Sequence, residues 1–370
     1  MILKFLSLIN FKNHESLQID FSPQVNCFLG NNGVGKTNLL DAIHYLSFCK
    51  SYYNIVEADN IKYGERFFML KGEFLNQDNT DFFIDASLKE KVKYFKYNGK
   101  KYDKLSDHIG KIPLVIITPL DSNIILGGGD ERRKFIDRLL SQLDSTYLYN
   151  LMSYNKVLQQ RNALLKEANF HNANSDLLST YDKSLSEYGY QIYLKRKDCL
   201  ARIIGDVQSY YSFISEKQES IDIIYKSQLN ENSFEDILIQ NRTKDKLLMF
   251  TSSGVHRDDF IFTINSHSLK KSGSQGQQKT FLIALKFAYY SLLKSVLNMD
   301  PLLLLDDIFD KLDARRVEKV IRMLNQNQFG QIFITDTSFE RIDSIMSKVD
   351  NICKYFLLNK DGVYEEKFKS

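Results

Sequence analysis

The chain has 370 residues, of which 43% are hydrophobic and 26% charged, and these proportions exclude a mainly disordered protein. At about 150 residues per domain, the length predicts two or three packed lobes. The 49 Lys and Arg residues nearly balance the 46 Asp and Glu residues, so the net charge of +3 excludes nucleic-acid binding through bulk charge and leaves only local clusters for it.

The first 50 residues predict three strands, a glycine-rich loop and a helix. Apolar residues alternate over Leu3–Phe11 and Leu17–Phe21, and Val25–Leu29 leads directly into the loop. Because the first run has no A-x-A cleavage site, it indicates a strand and not a signal peptide. Apolar residues recur at helical spacing over Thr37–Cys49, so the loop lies between a buried strand and a helix.

Residues 60–120 return to a period of two and predict an antiparallel sheet. The alternating runs are Phe67–Phe74, Asp81–Leu88 and Val92–Tyr97. The Asn98-Gly99 step that follows them is a strong signal for a hairpin turn.

Residues 130–220 change to the helical period and predict two long helices. The apolar positions of the first are Phe135, Leu139, Leu143, Leu151, Tyr154 and Leu158. Those of the second are Leu178, Leu185, Tyr188, Ile192, Ile203, Val207 and Tyr211. The polar stretch Glu167–Ser175 lets the two fold back as a hairpin, whose arms of about 35 residues reach roughly 50 Å.

After residue 250, strands and helices alternate, which favours a parallel sheet. The predicted elements are a strand Phe260–Ile264, a loop over 272–278, a helix from Lys279 through Leu297, a strand Leu302–Leu305, a helix from Ala314 and a strand Ile332–Thr335. These patterns predict an α/β fold in three segments: 1–125 with the glycine-rich loop and the antiparallel sheet, 126–250 as a helical insertion, and 251–370 as the rest of the core.

The glycine-rich loop matches G-x-x-x-x-G-K-[ST], and the predicted strand before it and helix after it are the context that this motif requires. Its glycines let backbone N–H groups turn toward phosphates, Lys36 reaches the β and γ phosphates, and the Thr37 hydroxyl holds magnesium. The predicted nucleotide-binding residues are Gly30, Asn31, Asn32, Gly33, Val34, Gly35, Lys36, Thr37 and Asn38.

Pro301–Asp307 is an apolar run that ends in two acids, as expected for a buried central strand that brings carboxylates to the carboxyl edge of a parallel sheet. Asp306 is predicted to bind magnesium, and Asp307 to orient or deprotonate the attacking water. Between these motifs, Ser272–Gln278 is a Ser/Gly/Gln loop at a helix N-terminus, which is a second anion site.

The order of these motifs is that of ABC-type ATPases. The stretches GNNGVGKTNLLDAIHYLSFCKSY, GGGDERRKFID, GVHRDDF, GSQGQQKTF and LLLLDDIFDKLDARR together resemble the RecF family of bacterial recombination and replication-repair ATPases, over essentially the whole chain. The resemblance implies an ABC-type ATPase head whose inserted helical lobe forms a short hairpin. It further implies that Ser274, Gly276 and Gln277 serve the nucleotide of an opposed subunit and that Asp313 lies in the cross-subunit loop, with Lys36 and Asp307 as the catalytic residues.

The resemblance also implies an activity. The protein would bind ATP and Mg²⁺, dimerise on ATP, clamp gapped DNA at single-strand to double-strand boundaries, and help RecR and RecO to load the RecA recombinase. Hydrolysis of ATP would be weak and DNA-stimulated, and it would release the DNA. Slow hydrolysis is expected because no histidine stands near Thr335-Asp336-Thr337 as a γ-phosphate sensor. The implied location is the cytoplasm at the nucleoid, in the DNA damage and SOS response.

Some positions depart from the family pattern. Lys12 stands where arginine is usual, Asp41 where glutamate is usual and Lys279 where arginine is usual, all three with the charge preserved. Gly129 stands where proline is usual, and Asp310-Lys311 replaces a small residue and an acid before Leu312-Asp313.

Several polar clusters have two interpretations each. Residues 89–104 hold seven lysines among tyrosines and predict a solvated hairpin face that protects an edge strand, or a phosphate-binding surface. Arg132-Arg133-Lys134 and Lys195-Arg196-Lys197 are solvated helix faces or DNA contacts. His256-Arg257-Asp258-Asp259 favours a structural or nucleotide-coupled ion-pair role over a metal site.

Other functions remain as alternatives. The four cysteines lie far apart, without the spacing of zinc ligands, and indicate reduced cytosolic thiols. No apolar run reaches the roughly 18 residues that span a bilayer. The main alternative is the nucleotide-binding subunit of a membrane transporter, which has its motifs in a more compact arrangement. A second alternative is an SMC or Rad50-like protein, but that needs hundreds of heptad residues between the motifs and the chain is too short. A third is a nuclease of the ABC class, but that needs a further acidic cluster, which the sequence does not show.

Overall fold

The computed structural model describes residues 1–167, 173–216, 219–310, 312–325, 328–347, 352–359 and 362–369. The strands are β1 (Ile2–Phe11), β2 (His14–Asp20), β3 (Val25–Leu29), β4 (Phe67–Leu75), β5 (Asp81–Lys89), β6 (Val92–Tyr97), β7 (Lys100–Lys101), β8 (Leu114–Ile117), β9 (Ile221–Lys226), β10 (Asp259–Ile264), β11 (His267–Ser268), β12 (Leu302–Asp306), β13 (Ile332–Asp336), β14 (Cys353–Asn359) and β15 (Gly362–Lys369). The helices are α1 (Lys36–Phe48), α2 (Ser122–Leu126), α3 (Gly129–Leu143), α4 (Ser145–Lys166), α5 (Ala173–Ser215), α6 (Phe234–Leu248), α7 (Leu269–Ser272), α8 (Gln275–Leu297), α9 (Ala314–Asn325) and α10 (Phe339–Met346).

The chain forms two compact units. The first comprises Met1–Asp121, Phe213–Glu216 and Ile283–Ser370, and the second comprises Ser122–Ser212 and Lys217–Leu282. The predicted boundary at 125 lies close to the end of the first stretch, whereas residues 251–282 cluster with the helical residues. The division of the chain into three domains therefore stays a prediction. Helix α8 contributes residues to both compact units.

The first unit contains both predicted sheets. The antiparallel sheet has the strand order β2-β1-β4-β5-β6-β7, and the second sheet has the order β15-β14-β3-β13-β12-β8, with parallel pairing from β14 to β8. The antiparallel sheet confirms the strands predicted from the alternating runs of the N-terminal 100 residues. The second sheet confirms parallel pairing for the predicted strands Leu302–Leu305 and Ile332–Thr335. β14 and β15 were not predicted from the sequence.

Helix α1 is buried on nearly all sides, and its apolar side chains share one core with residues of both sheets. Leu39, Leu40, Ile43 and Leu46 are fully buried there. This packing fixes the N-terminal end of α1, at Lys36, beside the carboxyl edge of the parallel strands.

The second unit is mainly helical, with the three-stranded antiparallel sheet β11-β10-β9. The prediction of one helix through Phe135–Leu158 is wrong: the chain breaks at Asp144, whose carboxylate accepts hydrogen bonds from the backbone N–H groups of Thr146 and Tyr147 at 2.9 and 3.2 Å and so caps α4. The second predicted helix is α5, of 43 residues. The hairpin turn predicted between them falls in 167–175, of which 168–172 lie outside the described residues.

Two further differences concern the C-terminal half. The strand predicted at Phe260–Ile264 is β10, and it pairs antiparallel with β9 and not with the parallel strands. Helix α8 begins at Gln275, four residues earlier than predicted, and by length and hydropathy it is the one described helix that could cross a membrane. Of its most apolar stretch, 72% is buried in the protein, as in a core helix.

A buried histidine lies in the core of the first unit. His108 is fully buried; its Nε2–H donates to the Leu46 carbonyl at 2.6 Å, and its Nδ1 accepts from the Tyr102 hydroxyl at 3.1 Å. Burial lowers the pKa of His108 from 6.5 to about 4. The ring is therefore neutral in the folded protein at pH 7, and a proton on Nδ1 would place a charge in the core and require the Tyr102 hydroxyl to turn from donor to acceptor.

We expect the free energy of unfolding to fall as the pH drops below 6.5. Because the pKa of His108 is lower in the folded state, the unfolded chain binds more protons between pH 6.5 and 4, and stability that is complete above pH 6.5 is lost across this window. The loss amounts to about 2 kcal/mol between pH 7 and 5 for this one group. Denaturant unfolding of His108→Gln at both pH values should show a smaller pH dependence by about that amount, whereas the exposed His267→Gln should behave as the parent does. Equal pH dependence in all three proteins would contradict this role.

Candidate nucleotide site

The glycine-rich loop leaves the carboxyl end of β3, whose five residues are all buried, and ends at the first residue of α1. Two of its glycines combine a positive φ with a neighbouring atom too close for a side chain. A Cβ on Gly30, which has φ 149°, would lie 2.3 Å from the Leu358 carbonyl oxygen, and one on Gly35, with φ 107°, would lie 2.5 Å from His14 Nε2. Only glycine fits these positions, so the loop conformation follows from the motif.

Side chains from the turn between β1 and β2 and from the first residue of β2 hold the loop. Asn13 Nδ2 donates to the Val34 carbonyl at 3.2 Å, and His14 Nε2 lies 3.1 Å from the Gly35 carbonyl. Asn38 in turn donates to Asn13 Oδ1 at 2.6 Å. Burial lowers the pKa of His14, so the neutral ring donates through Nε2. The sequence reasoning missed this pair, and its one signal is two adjacent polar residues where a two-residue turn meets the next alternating strand.

Lys36 lies against the loop that precedes it. Its Nζ donates to the carbonyl oxygens of Gly30 and Asn31 at 2.7 and 2.9 Å. Burial lowers the pKa of Lys36, while the nearby Asp307 and Asp306 act in the opposite direction. The ammonium therefore stands at the N-terminus of a helix and within a cluster of backbone groups that suits a phosphate.

The structure brings the predicted magnesium residues together. Thr37 Oγ1 donates to the Asp306 carboxylate, at 3.0 Å from Oδ1 and 3.2 Å from Oδ2, although 269 positions separate the two residues. Two further hydroxyls reach the same carboxylate: Thr335 donates to Oδ1 at 2.6 Å and Tyr53 to Oδ2 at 2.7 Å. Burial, together with Asp306, raises the pKa of Tyr53 far above its usual value, so its hydroxyl stays protonated and donates.

Asp307 stands next to Asp306 at the end of β12 with a left-handed backbone of φ 47°. Its N–H donates to Thr335 Oγ1 at 3.1 Å. Burial and the neighbouring carboxylates of Asp306 and Asp336 raise the pKa of Asp307, while Lys36 acts to lower it. A carboxylate with a raised pKa is a stronger base for a water proton. Asp336 itself is neutralised by Arg341, which binds it through two nitrogens.

An open cleft of about 970 Å³ adjoins Thr37 and Asn38. Its other walls are formed by Lys12 and by residues 58–65, so the cleft continues the loop toward the antiparallel sheet of the same unit. Lys12 is held there by an ion pair with the fully buried Asp41, at 2.5 Å. Two of the three charge-preserving departures from the family pattern are thus partners of each other.

The predicted signature residues belong to the second unit, at the start of α8. The Ser274 N–H donates to Gln277 Oε1 at 2.7 Å and the Gln277 N–H donates to Ser274 Oγ at 3.2 Å, which is a capping box. Gln277 Nε2 also donates to Glu219 at 2.8 Å, and the Gly276 carbonyl accepts from Thr280. Ser274 is exposed, so its hydroxyl lies at the surface of the helix N-terminus.

Asp313 lies in the first unit and precedes α9. Its Oδ1 accepts from the Arg316 N–H at 3.0 Å, and its side chain is 56% exposed. The carboxylate thus starts the helix while it remains accessible at the surface. Lys311, which the sequence places in the same loop, lies outside the described residues.

Two motifs of the second unit turn out to be partners. Arg132 binds Asp259 through two nitrogens at 2.7 and 3.0 Å, and Arg133 donates to the Asp258 carbonyl at 2.6 Å. His256 Nε2–H donates to the Thr251 carbonyl at 3.0 Å and its Nδ1 accepts from the Tyr154 hydroxyl at 2.6 Å, and burial lowers the pKa of His256 to about 4. Among the described residues, no group of three or more His, Cys, Asp and Glu side chains is placed to hold a metal ion.

The basic clusters are less exposed than a solvated helix face predicts. Arg132 and Arg196 are both buried, and Arg196 pairs with Asp137 and Asp258. The prediction that each cluster is a uniform solvated face or DNA contact is therefore wrong for these two arginines. Six of the seven lysines in 89–104 are exposed, the exception being Lys93, which pairs with Glu57 at 2.5 Å.

Known protein families and curated proteins are similar to this chain over nearly its whole length. Residues 2–360 match the family described as RecF/RecN/SMC N terminal domain. The chain is 48% identical to the DNA replication and repair protein RecF of Flavobacterium johnsoniae, over 97% of this chain and 100% of that protein. It is 44% identical to the protein of the same name from Bacteroides thetaiotaomicron, over 99% of each.

Solved structures give the same result. The recombination mediator protein RecF-ATP of the RecFOR pathway is 30% identical with a TM-score of 0.87, and the match covers 100% of this chain and 98% of that one. The Smc head domain from Pyrococcus furiosus, at 16% identity and a TM-score of 0.60, matches over 100% of this chain and 96% of that one and shares the fold. The predicted ABC-type ATPase head is confirmed.

Proposed function

This chain belongs to the RecF family, and from that premise we propose that it is an ATP-binding DNA replication and repair protein that closes on DNA as a homodimer when ATP is bound. The observation that carries the proposal is the contact of Thr37 with Asp306, because it joins the phosphate loop to the acidic strand end. RecF proteins match along nearly their full length, which supports this function over the transporter-subunit alternative.

The loop residues would hold the triphosphate. Backbone N–H groups between Gly30 and Lys36 cradle the phosphates at the positive end of α1, and Lys36 exchanges its bonds with two loop carbonyls for bonds with the β and γ phosphates. The cleft beside Asn38 is large enough for the nucleoside. Thr37 and Asp306 fit Mg²⁺ because hydroxyl and carboxylate oxygens are the ligands that it prefers. Bound there, the metal would neutralise charge on the β and γ phosphates.

Asp307 is the proposed base for hydrolysis. It lies beside Asp306, its pKa is raised, and its backbone is held by Thr335. These features support a role in which its carboxylate orients the attacking water and accepts a proton from it. Weak hydrolysis, stimulated by DNA, is part of the same proposal.

A second copy of the chain would complete each site. Ser274, Gly276 and Gln277 lie at an exposed helix N-terminus, which is suited to the γ-phosphate of a nucleotide held by a partner. Asp313 is exposed and lies in the first unit, where it would contact the opposed subunit. A two-fold dimer would then contain two equivalent sites, and ATP would favour the closed form because only it makes the γ-phosphate contacts.

The proposed substrate of the closed dimer is gapped DNA. The solved RecF relatives are described as recombination mediator proteins of the RecFOR pathway. We extend this to RecO and RecR as partners of this chain that load RecA, in the cytoplasm at the nucleoid. The exposed lysines of 89–104 and the remaining exposed lysines of the other clusters, Lys134, Lys195 and Lys197, are the candidate phosphate contacts.

Binding to a fluorescently labelled gapped duplex tests this function. We expect anisotropy to show binding at least tenfold tighter with ATP than with ADP or without nucleotide, because only ATP closes the dimer. Charge reversal of Lys96, Lys100 and Lys101 should lower the salt dependence of DNA binding by about one unit of slope per lysine if they contact phosphates. Charge reversal of Lys134, Lys195 and Lys197 tests the other two basic clusters in the same way. Equal, weak DNA binding in all nucleotide states would refute the clamp.

A further inference from the structure

Three hydroxyl groups from three separate elements converge on the Asp306 carboxylate. Thr37 comes from α1, Thr335 from β13 and Tyr53 from the segment that follows α1. The loop and sheet motifs account for the two threonines, but no motif places a tyrosine at this position. Its hydroxyl is the shorter of the two contacts to Oδ2, at 2.7 Å against 3.2 Å for Thr37.

The position of Tyr53 is built by a buried acid. Asp41, inside α1, accepts hydrogen bonds from the Ser51 hydroxyl at 2.6 Å and from the Tyr52 N–H at 2.7 Å. Ser51 Oγ then accepts from the N–H groups of Tyr53 and Asn54 at 3.1 and 2.8 Å. Asp41 is fully buried and its charge is balanced by Lys12, whose Nζ also lies 5.3 Å from the ring of Tyr53. The backbone that carries Tyr53 is therefore tied to α1 itself.

The neighbouring tyrosine fixes the same segment from its other side. The Tyr52 hydroxyl donates to Asp121 at 2.5 Å, and Lys286 of α8 donates to the same carboxylate at 2.7 Å. The rings of Tyr52 and Tyr53 contact each other edge to face, with centroids 5.4 Å apart. Two adjacent hydroxyls thus reach two different acids, one at the predicted magnesium site and one outside it.

The second torsion of an aspartate side chain is broad, so hydrogen bonds decide how its carboxylate is turned. With Thr335 on Oδ1 and Tyr53 on Oδ2, the Asp306 plane is held at both oxygens while Thr37 remains between them. A metal that binds an already oriented carboxylate does not have to order it.

We propose that Tyr53 is a positioning residue for the magnesium site: its hydroxyl holds the Asp306 carboxylate in the orientation that the metal uses. The inference rests on the proposed function, because it concerns the metal that accompanies ATP. It assigns to Tyr53 no contact with the metal or with the phosphates.

The test measures how much Mg²⁺ the protein needs to bind a fluorescent, non-hydrolysable ATP analogue. Tyr53→Phe keeps the ring and removes only the hydroxyl, so we expect the Mg²⁺ concentration at half-saturation to rise about tenfold, as for other residues that orient metal ligands. Affinity for the analogue in EDTA should stay within twofold of the parent, since the loop contacts are unchanged. Thermal unfolding of the variant checks that the fold is retained.

Tyr52→Phe is the matched control, because it removes the adjacent hydroxyl, which binds Asp121 and not Asp306. It should leave the Mg²⁺ requirement unchanged. An equal shift in both variants would show that the segment as a whole matters and would overturn the specific role of Tyr53, as would an unchanged Mg²⁺ requirement in Tyr53→Phe. A parent protein that binds no nucleotide with or without Mg²⁺ would instead refute the proposed function, so the two failures are distinguishable.

Discussion

Lys36→Ala should lower the affinity for ATP by about a hundredfold or more. Lys36 is the one side chain of the loop that supplies a full positive charge to the phosphates. A hydrogen bond to a charged group contributes about 1.5–3 kcal/mol, so the loss of two such bonds weakens ATP binding by more than a hundredfold. A fluorescent ATP analogue titrated in the presence of Mg²⁺ gives the dissociation constant directly. DNA binding that depends on ATP should be lost in the same variant, since dimer closure requires the nucleotide.

Lys4→Ala is the matched control for this change. Lys4 belongs to the same unit, is half-exposed, and forms ion pairs with Glu73 and Asp81, which lie far from the loop in sequence. Exposed pairs of this kind contribute little to stability, so both ATP affinity and folding should stay close to those of the parent. ATP affinity that is unchanged in Lys36→Ala would mean that the phosphates are not held by this loop, and it would remove the basis of the proposed function.

The parts of the site that could be predicted from the sequence are those with a local pattern. The loop from Gly30 to Thr37 carries its own spacing, and the apolar run into Asp306 indicates a buried strand with acids at its end. Parallel pairing then places both at one sheet edge, so their proximity follows from the fold class. For the same reason, the helices and strands with strong periodicity were predicted within a few residues.

The remaining contacts join residues that no local pattern connects. Tyr53 reaches Asp306 across 253 positions, and Arg132 reaches Asp259 across 127. Their partners depend on where loops lie after packing, which periodicity does not encode. Asn13 lies in the turn before β2 and His14 is the first residue of β2, and only the folded loop shows which carbonyls they bind.

The wrong predictions have equally specific causes. The helical period runs across Asp144 without a phase break, so the capping role of that one side chain decides where α3 ends and α4 begins. β9 and α6 have short or weakly patterned sequences, and they were not predicted. The strand β10 was assigned to the parallel sheet because strands and helices alternate around it, but its neighbour β9 lies 33 residues or more upstream in the chain and pairs with it antiparallel.

Asp307→Asn should separate ATP binding from hydrolysis. The substitution keeps the size of the side chain and removes the base, so we expect the hydrolysis rate to fall by a factor of about 10²–10⁴, while ATP affinity stays near that of the parent. Phosphate release measured at saturating ATP gives the rate, and light scattering follows the dimer. Because hydrolysis is the proposed route to opening, the ATP-bound dimer should persist in this variant.

The pH dependence of hydrolysis gives a second readout for the same residue. Burial and the carboxylates of Asp306 and Asp336 raise the pKa of Asp307, and only its ionised form accepts a proton, so the parent rate should fall as the pH is lowered through that raised pKa. The residual activity of Asp307→Asn should lack this decrease, whereas Asp300→Asn, which changes a half-exposed acid paired with Lys294, should retain the parent profile. If Asp307→Asn hydrolysed ATP at the parent rate with the same profile, the base would be another group, and the raised pKa of Asp307 would reflect only its crowding by the two neighbouring carboxylates.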